Sequence, residues 1–372
     1  MILSRRLALG LAGAALLAPA ARAAAALTCG AALPLSGGAA LLGNEILRGI
    51  QLAADAMDAA GGIAGRPVQF FAADMPSPGD ATAAVNGLIN GSHAGVMFGS
   101  GDSALSFPAS AAAELAQTPF IELTAPADGL LTRGFKFLLR TGPSTQMAAA
   151  LAVQVLQARF AGRNLGLLYN SSVTGSGFAA AVTAALAAAK LPVTLAVPYP
   201  EGMEDLHDEA GRLMRAKVDV LLHVAGPDGA AGLALACAAQ GWQPKALIGY
   251  GAGYAYRESA AALPGGLSGT YVIAAPFYPA SAAPIQAAYL ARFGTAPRAA
   301  DSLTAYAGAK LVFDTLSGVD GDPVKLLGGL RAANLPHGAL ANGFGVQFDR
   351  NGQNTGAYVT LQQWHDGVLA PV

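Results

Sequence analysis

The chain has 372 residues, 53% hydrophobic and 12% charged, with 22 Lys and Arg against 23 Asp and Glu and a net charge of −1. That length holds two ordinary domains. The balanced charge excludes the basic field that nucleic acid or an acidic membrane surface requires, so nucleic acid is not an expected partner.

The first residues have the form of an export signal. Arg5 and Arg6 precede the apolar run LALGLAGAALLAPAA, and Ala21-Arg22-Ala23 supplies an A-x-A cleavage site. The run is shorter than the ~20 apolar residues of a membrane span. Residues 1–23 are expected to be removed, leaving a soluble chain in the periplasm. SRRLAL is similar to a twin-arginine signal but has Ala8 where that pattern prefers phenylalanine, so Tat and Sec export both stay open.

Strands and helices then alternate. A strand over 27–35 runs into the glycine-rich turn SGGAALLG, after which Asn44 is placed to cap a helix with Ile46, Ile50, Ala53 and Met57 on one face. GGIAGRP stops that helix and leads into the strand VQFFAAD. The helix DATAAVNGLING, the strand AGVMFGS, a helix beginning near Ser103, the strand TPFIELTAP and the strand FKFLLRT complete a first unit at Thr141. A second unit repeats the pattern, with strands at NLGLLYN, PVTLAVPYP, VDVLLHVAG and KALIGYG separated by helices. Apolar strands alternating with helices predict parallel sheets covered on both faces, hence two α/β lobes. Cys29 and Cys237 are read as buried small hydrophobes in preference to a disulfide, and Thr28 makes Cys29 a poor lipid-anchor site.

The stretch VMFGSGDSALSFPAS raises the question of catalysis, because GDSA resembles the nucleophile block of GDSL-type hydrolases. Such an enzyme needs a histidine in a D-x-x-H block to activate Ser103. None of His93, His207, His223, His337 and His365 has an aspartate three residues earlier, so no catalytic residue is assigned. Neither a metal nor a cofactor is expected: no two histidines or cysteines stand at ligand spacing, and GSGDSA completes neither G-x-G-x-x-G nor a P-loop. Ser103 lies past a strand end at a helix N-terminus, where free N–H groups favour an anion. Asp102 beside it is either a ligand contact or, preferably, the helix cap.

The stretches LPLSGGAALLGNEILRGIQLAADAMDAAGGIAGRPVQF, FPASAAAELAQTPFIELTAP, LLTRGFKFLLRT, AAYLARFGTAP and FDRNGQNTGAYVTLQQWHDG, in this order and spacing, resemble the leucine/isoleucine/valine-type solute-binding proteins of ABC importers. The resemblance implies the type I periplasmic binding protein fold, an α/β protein of two Rossmann-like lobes with parallel sheets joined by a three-stranded hinge. It implies one lobe over 24–141 plus 275–340 and another over 142–274 plus 341–372, with crossings near 141–143, 273–276 and 339–343. His365 matches a recurrent tail feature and reads as structural.

The same resemblance carries over binding positions. Ser103, with backbone groups of Asp102 and Ala104, matches the grip on a ligand carboxylate, and Thr124 and Ala125 match a second contact in which Pro126 replaces a common threonine. Leu42 and Thr174 stand where tyrosines are expected, and Gly251 stands where an acidic residue holds the ligand's ammonium. Gly226 and Tyr250 complete the expected site, Tyr254 is a further candidate for an aromatic wall, and Asp228 is the candidate to replace the missing acid. The implied function is capture of a small organic ligand and its delivery to an ABC permease by a monomer. The expected ligand is a carboxylate-bearing aromatic or aliphatic acid in preference to a standard amino acid. The alternative is a ligand-sensing or partner-binding module of the same fold. N-terminal sequencing of the exported protein is expected to begin at Ala24; retention of Arg5 and Arg6, or a lipid on Cys29, would overturn the cleavage assignment.

Overall fold

The computed structural model describes residues 27–263 and 266–372, so the expected export signal lies outside the described residues. The first sheet is built from β1 (Leu27–Leu33), β2 (Val68–Asp74), β3 (Val96–Gly99), β4 (Phe120–Glu122) and β5 (Leu138–Arg140), in the order β2-β1-β3-β4-β5. All its pairings are parallel. Helices α1 (Ala40–Ala59), α2 (Ala81–Asn86) and α3 (Ser103–Leu115) make its crossovers. β3 is buried at every residue, whereas the edge strand β2 is mostly half-buried or exposed, as its outer position requires.

The chain then forms α4 (Thr145–Arg159), β6 (Leu165–Asn170), α5 (Val173–Ala188), β7 (Val193–Tyr199), α6 (His207–Arg215), β8 (Val220–Val224), α7 (Pro227–Ala239) and β9 (Ala246–Tyr250). The short helices α8 (Ala252–Ala255) and α9 (Arg257–Ala261) precede β10 (Tyr271–Ala274). The chain next returns to the first lobe as α10 (Ala283–Phe293), α11 (Asp301–Gly318) and α12 (Pro323–Ala332). Gly49 lets α1 and α11 approach closely: a Cβ there would lie 2.1 Å from the Ser302 carbonyl oxygen. The hairpin β11 (Asn334–Leu335) and β12 (Val346–Gln347) follows, then β13 (Thr360–His365) and β14 (Val368–Pro371). The second sheet runs β14-β13-β10-β9-β8-β6-β7, with only β13 and β14 antiparallel to their neighbours.

Several sequence expectations change here. Helix α1 begins at Ala40, four residues before the expected cap, because the Asn44 side chain sits inside the helix and donates to the Ala40 oxygen at 2.8 Å and the Leu35 oxygen at 3.2 Å. The chain also stays with the first lobe beyond the expected crossing at 339–343. Val346 belongs to the first core, Phe348 packs against it, and the second sheet is entered only at Thr360. Packing of the tail falls to Trp364, whose Nε1 donates to the Tyr254 oxygen at 2.7 Å, while His365 is exposed. Cys29 is buried in the first core and Cys237 is half-buried in the second lobe, both as free thiols. Burial pushes them up to about 12 and about 11, respectively.

The junction is tied by side chains reaching between crossover segments. Gln353 Nε2 donates to the Gly142 oxygen at 3.0 Å, and Asn354 Nδ2 donates to the oxygens of Thr141 at 3.2 Å and Gly345 at 3.0 Å. Asn354 Oδ1 accepts from the N–H groups of Gln347 and Gly356. Asn354 is fully buried, so truncation strands these backbone partners away from water. Asn354→Ala is expected to lower stability by about 1–3 kcal/mol. Guanidinium unfolding checks this, and an unchanged midpoint would show that the segment is held by other contacts.

Candidate ligand-binding cleft

Both sheets point the carboxyl ends of their parallel strands at one cleft, the place where open α/β sheets leave helix N-termini and strand-end loops free to meet a ligand. The cavity between the lobes has a volume of about 230 Å³. Its first-lobe wall includes Leu42, Gly101, Asp102, Thr124 and Pro126, together with Asp301 and Thr304 of α11. Its second-lobe wall comes from successive strand ends: Asn170, Ser172 and Thr174 after β6, Glu201 after β7, Gly226 after β8, and Tyr250 and Gly251 after β9. Tyr256 contributes from the loop between α8 and α9.

Of the residues expected from sequence, Leu42, Asp102, Thr124, Thr174, Gly226, Tyr250 and Gly251 meet at this wall. Ser103, Ala104 and Ala125 do not line it. Ser103 is 1% exposed, and its Oγ accepts from the Ala127 N–H at 3.2 Å and from Thr174 Oγ1 at 3.2 Å. Ser103 thus links the lobes where α3 faces α5. Asp102 caps α3, with Oδ1 accepting from the N–H groups of Ala104 at 2.7 Å and Leu105 at 3.1 Å. The N–H groups of Thr124 and Ala125 both donate to Glu122 Oε1, at 3.1 and 2.9 Å. Of the donors that sequence reasoning offered to a ligand carboxylate, the N–H groups of Ala104, Thr124 and Ala125 are therefore committed to the protein's own carboxylates.

Tyr250 stands at the cleft with its ring stacked on Phe178, centroids 4.6 Å apart. Tyr254 is withdrawn from it: its hydroxyl lies 2.5 Å from His223 Nδ1, and Tyr199 holds the other ring nitrogen at 2.9 Å. Burial lowers His223 to about 3, which keeps the imidazole neutral inside the second lobe. Asp228, exposed in the first turn of α7, does not reach the cleft wall.

Three acids that the sequence did not mark together give the cleft its electrostatics: Asp102, Glu201 and Asp301. No Lys, Arg or His lies among the described lining residues. Glu201 is exposed at the cleft mouth, and partial desolvation, then the charge of Asp102, raise it somewhat above its ordinary value. Burial raises Asp301 to about 6, against a hydrogen bond from the Tyr256 hydroxyl at 3.1 Å that favours the charged form. The hydroxyls of Thr124 and Thr304 are buried without a hydrogen-bond partner. No group of three metal-ligating side chains occurs among the described residues.

A pair of parallel α/β lobes closing a cleft at their strand ends is the architecture of type I periplasmic binding proteins. The periplasmic binding protein family model matches residues 26–367, and the chain belongs to that family. It is 33% identical over 347 residues to Leu/Ile/Val-binding protein homolog 8 of Brucella abortus, covering 89% of this chain and 86% of the relative. Homolog 7 of Brucella melitensis is 31% identical over 381 residues, covering 98% and 95%. Among solved structures, a leucine-binding protein of Thermotoga maritima superposes with a TM-score of 0.82 at 16% identity, covering 93% of this chain and 97% of that one. A solute-binding protein of R. palustris in complex with benzoate gives 0.79 at 20% identity, covering 94% and 96%. The family binds small molecules and works with ABC transporter permeases, and the protein is a binding protein, not an enzyme.

Asp301 supplies a pH test. Its folded-state value of about 6 lies above its ordinary 3.8, so between those pH values the folded protein takes up a proton that the unfolded chain does not. This group's penalty is full above pH 6 and is relieved as pH falls toward 4. Asp301→Asn is expected to stabilise the protein by roughly 1–3 kcal/mol at about pH 7.5 and to have little effect near pH 4. Thermal melts at the two pH values decide it, and equal effects at both would show that Asp301 does not carry the penalty.

Proposed function

We propose that this protein captures, between its lobes, a small molecule with an apolar body and hydrogen-bond donors such as ammonium, amide or hydroxyl groups, and delivers it to an ABC permease from the periplasm as a monomer. The observation that supports this ligand class is the cleft's charge: Asp102, Glu201 and Asp301 line it, with no cationic side chain among the described lining residues. A free carboxylate brought there loses water and meets acceptors of its own sign. Leu42, Ile273 and Val359 supply apolar wall, with Tyr250 and Tyr256 as flat surfaces. Leucine, isoleucine and valine are poor candidates for a reason different from the glycine at 251. Glu201 offers their ammonium a partner, while their carboxylate has no cation to meet.

The lobes in this reading span 24–141 plus 275–354, and 142–274 plus 355–372. The third crossing is moved to the segment that precedes β13, because Asn354 is anchored at the first-lobe side of the junction. A second reading, an aromatic acid, draws on the tyrosines at the cleft and on likeness to proteins solved with benzoate, 3,4-dihydroxybenzoic acid and 4-hydroxybenzoate.

Mass spectrometry of small molecules released by denaturing the purified protein, followed by calorimetry, separates the two. The released molecule is expected to carry amine, amide or hydroxyl groups. Glu201→Gln is expected to weaken an ammonium-bearing ligand about tenfold or more, since a hydrogen bond to a charged group contributes ~1.5–3 kcal/mol and 1.4 kcal/mol is tenfold. Micromolar binding of benzoate or of any of the three branched amino acids would overturn the proposal.

A further inference from the structure

Glu122 is a buried acid at the carboxyl end of β4, paired in register with Gly99 on β3 and with Arg140 on β5. It is 1% exposed, and no side-chain cation donates to it. Its partners are neutral donors from the two loops that follow β3 and β4 and from Ser106 in the first turn of α3. Oε1 accepts from the N–H groups of Ser100 at 3.0 Å, Gly101 at 3.3 Å, Thr124 at 3.1 Å and Ala125 at 2.9 Å. Oε2 accepts from the Ser100 N–H at 2.8 Å, from Ser100 Oγ at 3.2 Å and from Ser106 Oγ. Four backbone N–H groups and two hydroxyls converging on one point form an anion-binding concavity.

We propose that Glu122 is a resident carboxylate filling an anion-binding nest in the first-lobe wall, and that by taking up the Gly101 and Thr124 amides it leaves these backbone donors of the cleft wall unavailable to a ligand carboxylate. This deepens the preceding ligand reading and rests on it for its biological consequence, though the nest itself is defined by the contacts above. Gly101 and Thr124 belong both to the nest and to the cleft wall, so the nest adjoins the ligand space. Thr124 Oγ1, buried and without a partner, is a further donor left at that boundary. The Gly101 turn has φ +79°, and a Cβ there would lie 2.3 Å from Ile46 Cδ1, so the amides are held in place by packing. A small residue at 122 leaves four inward N–H groups with no acceptor, the arrangement that takes up a small monocarboxylate.

The test is chemical rescue. Glu122→Ser and Glu122→Ala are expected to melt below wild type, and millimolar formate or acetate is expected to raise their Tm saturably, while chloride at equal ionic strength does not. Wild type and Glu122→Gln, in which a side chain still fills the nest, are expected to be indifferent to formate. Benzoate is expected to bind Glu122→Ser at least tenfold more tightly than wild type. A folded Glu122→Ser or Glu122→Ala variant that responds to formate no more than wild type overturns the proposal. If either variant fails to fold on expression, refolding from guanidinium with and without formate gives the answer: formate-dependent recovery supports the nest, and equal recovery overturns it. Benzoate binding by wild type would sink the ligand reading alone, because rescue of the variant does not depend on which ligand the cleft takes.

Discussion

One buried guanidinium holds the junction and the cleft wall in register. Arg140, 1% exposed at the end of β5, donates through Nε to Gln353 Oε1 at 2.6 Å and through Nη1 to the oxygens of Ala125 and Ala127 at 3.2 and 2.8 Å. Its Nη2 lies 3.6 Å from Asp128. A buried cation is tolerated only where nearly all its donors find acceptors and a counter-charge is near. Here the acceptors come from the loop after β4 and from the segment that leads back to the second sheet. The strand on which the chain leaves the first lobe, the wall that faces the ligand and the last return of the chain are thereby fixed to one planar group.

Around that anchor the cleft is organised by acids that each engage part of the protein itself. Asp102 takes the first amides of α3, Asp301 takes the Tyr256 hydroxyl, and Glu122 takes the amides of Ser100, Gly101, Thr124 and Ala125. A binding protein closes by rigid motion about a few crossover residues, so the groups that remain unpaired at the cleft define what it holds. These are acceptor oxygens and hydroxyls set among apolar side chains. The Thr174 hydroxyl meeting Ser103 across the cleft shows that lobe contact here uses polar groups of both sides.

Much of the architecture was legible before folding. Runs such as VDVLLHVAG are apolar at consecutive positions because both faces of a parallel strand are covered, and β8 is indeed buried at every residue. The resemblance to the binding-protein family, not strand order, put Asp102, Thr124, Thr174, Gly226, Tyr250 and Gly251 in the expected site, and these residues line the cleft. The face of α1 carrying Ile46, Ile50, Ala53 and Met57 was readable from its period, since all four are buried.

What the sequence by itself determined was which segments become strands and helices and which loops fall at the cleft, because hydrophobic period and strand-end position are local properties. The tertiary structure alone decided which polar groups are free. Glu122 and Ser100 are 22 residues apart, and Tyr256 and Asp301 are 45 apart. A backbone N–H looks available in any sequence until the fold brings an acceptor within 3 Å of it. Glu201, entering from the loop after β7, was invisible for the same reason, since its place beside Asp102 exists only once two separate sheets face each other.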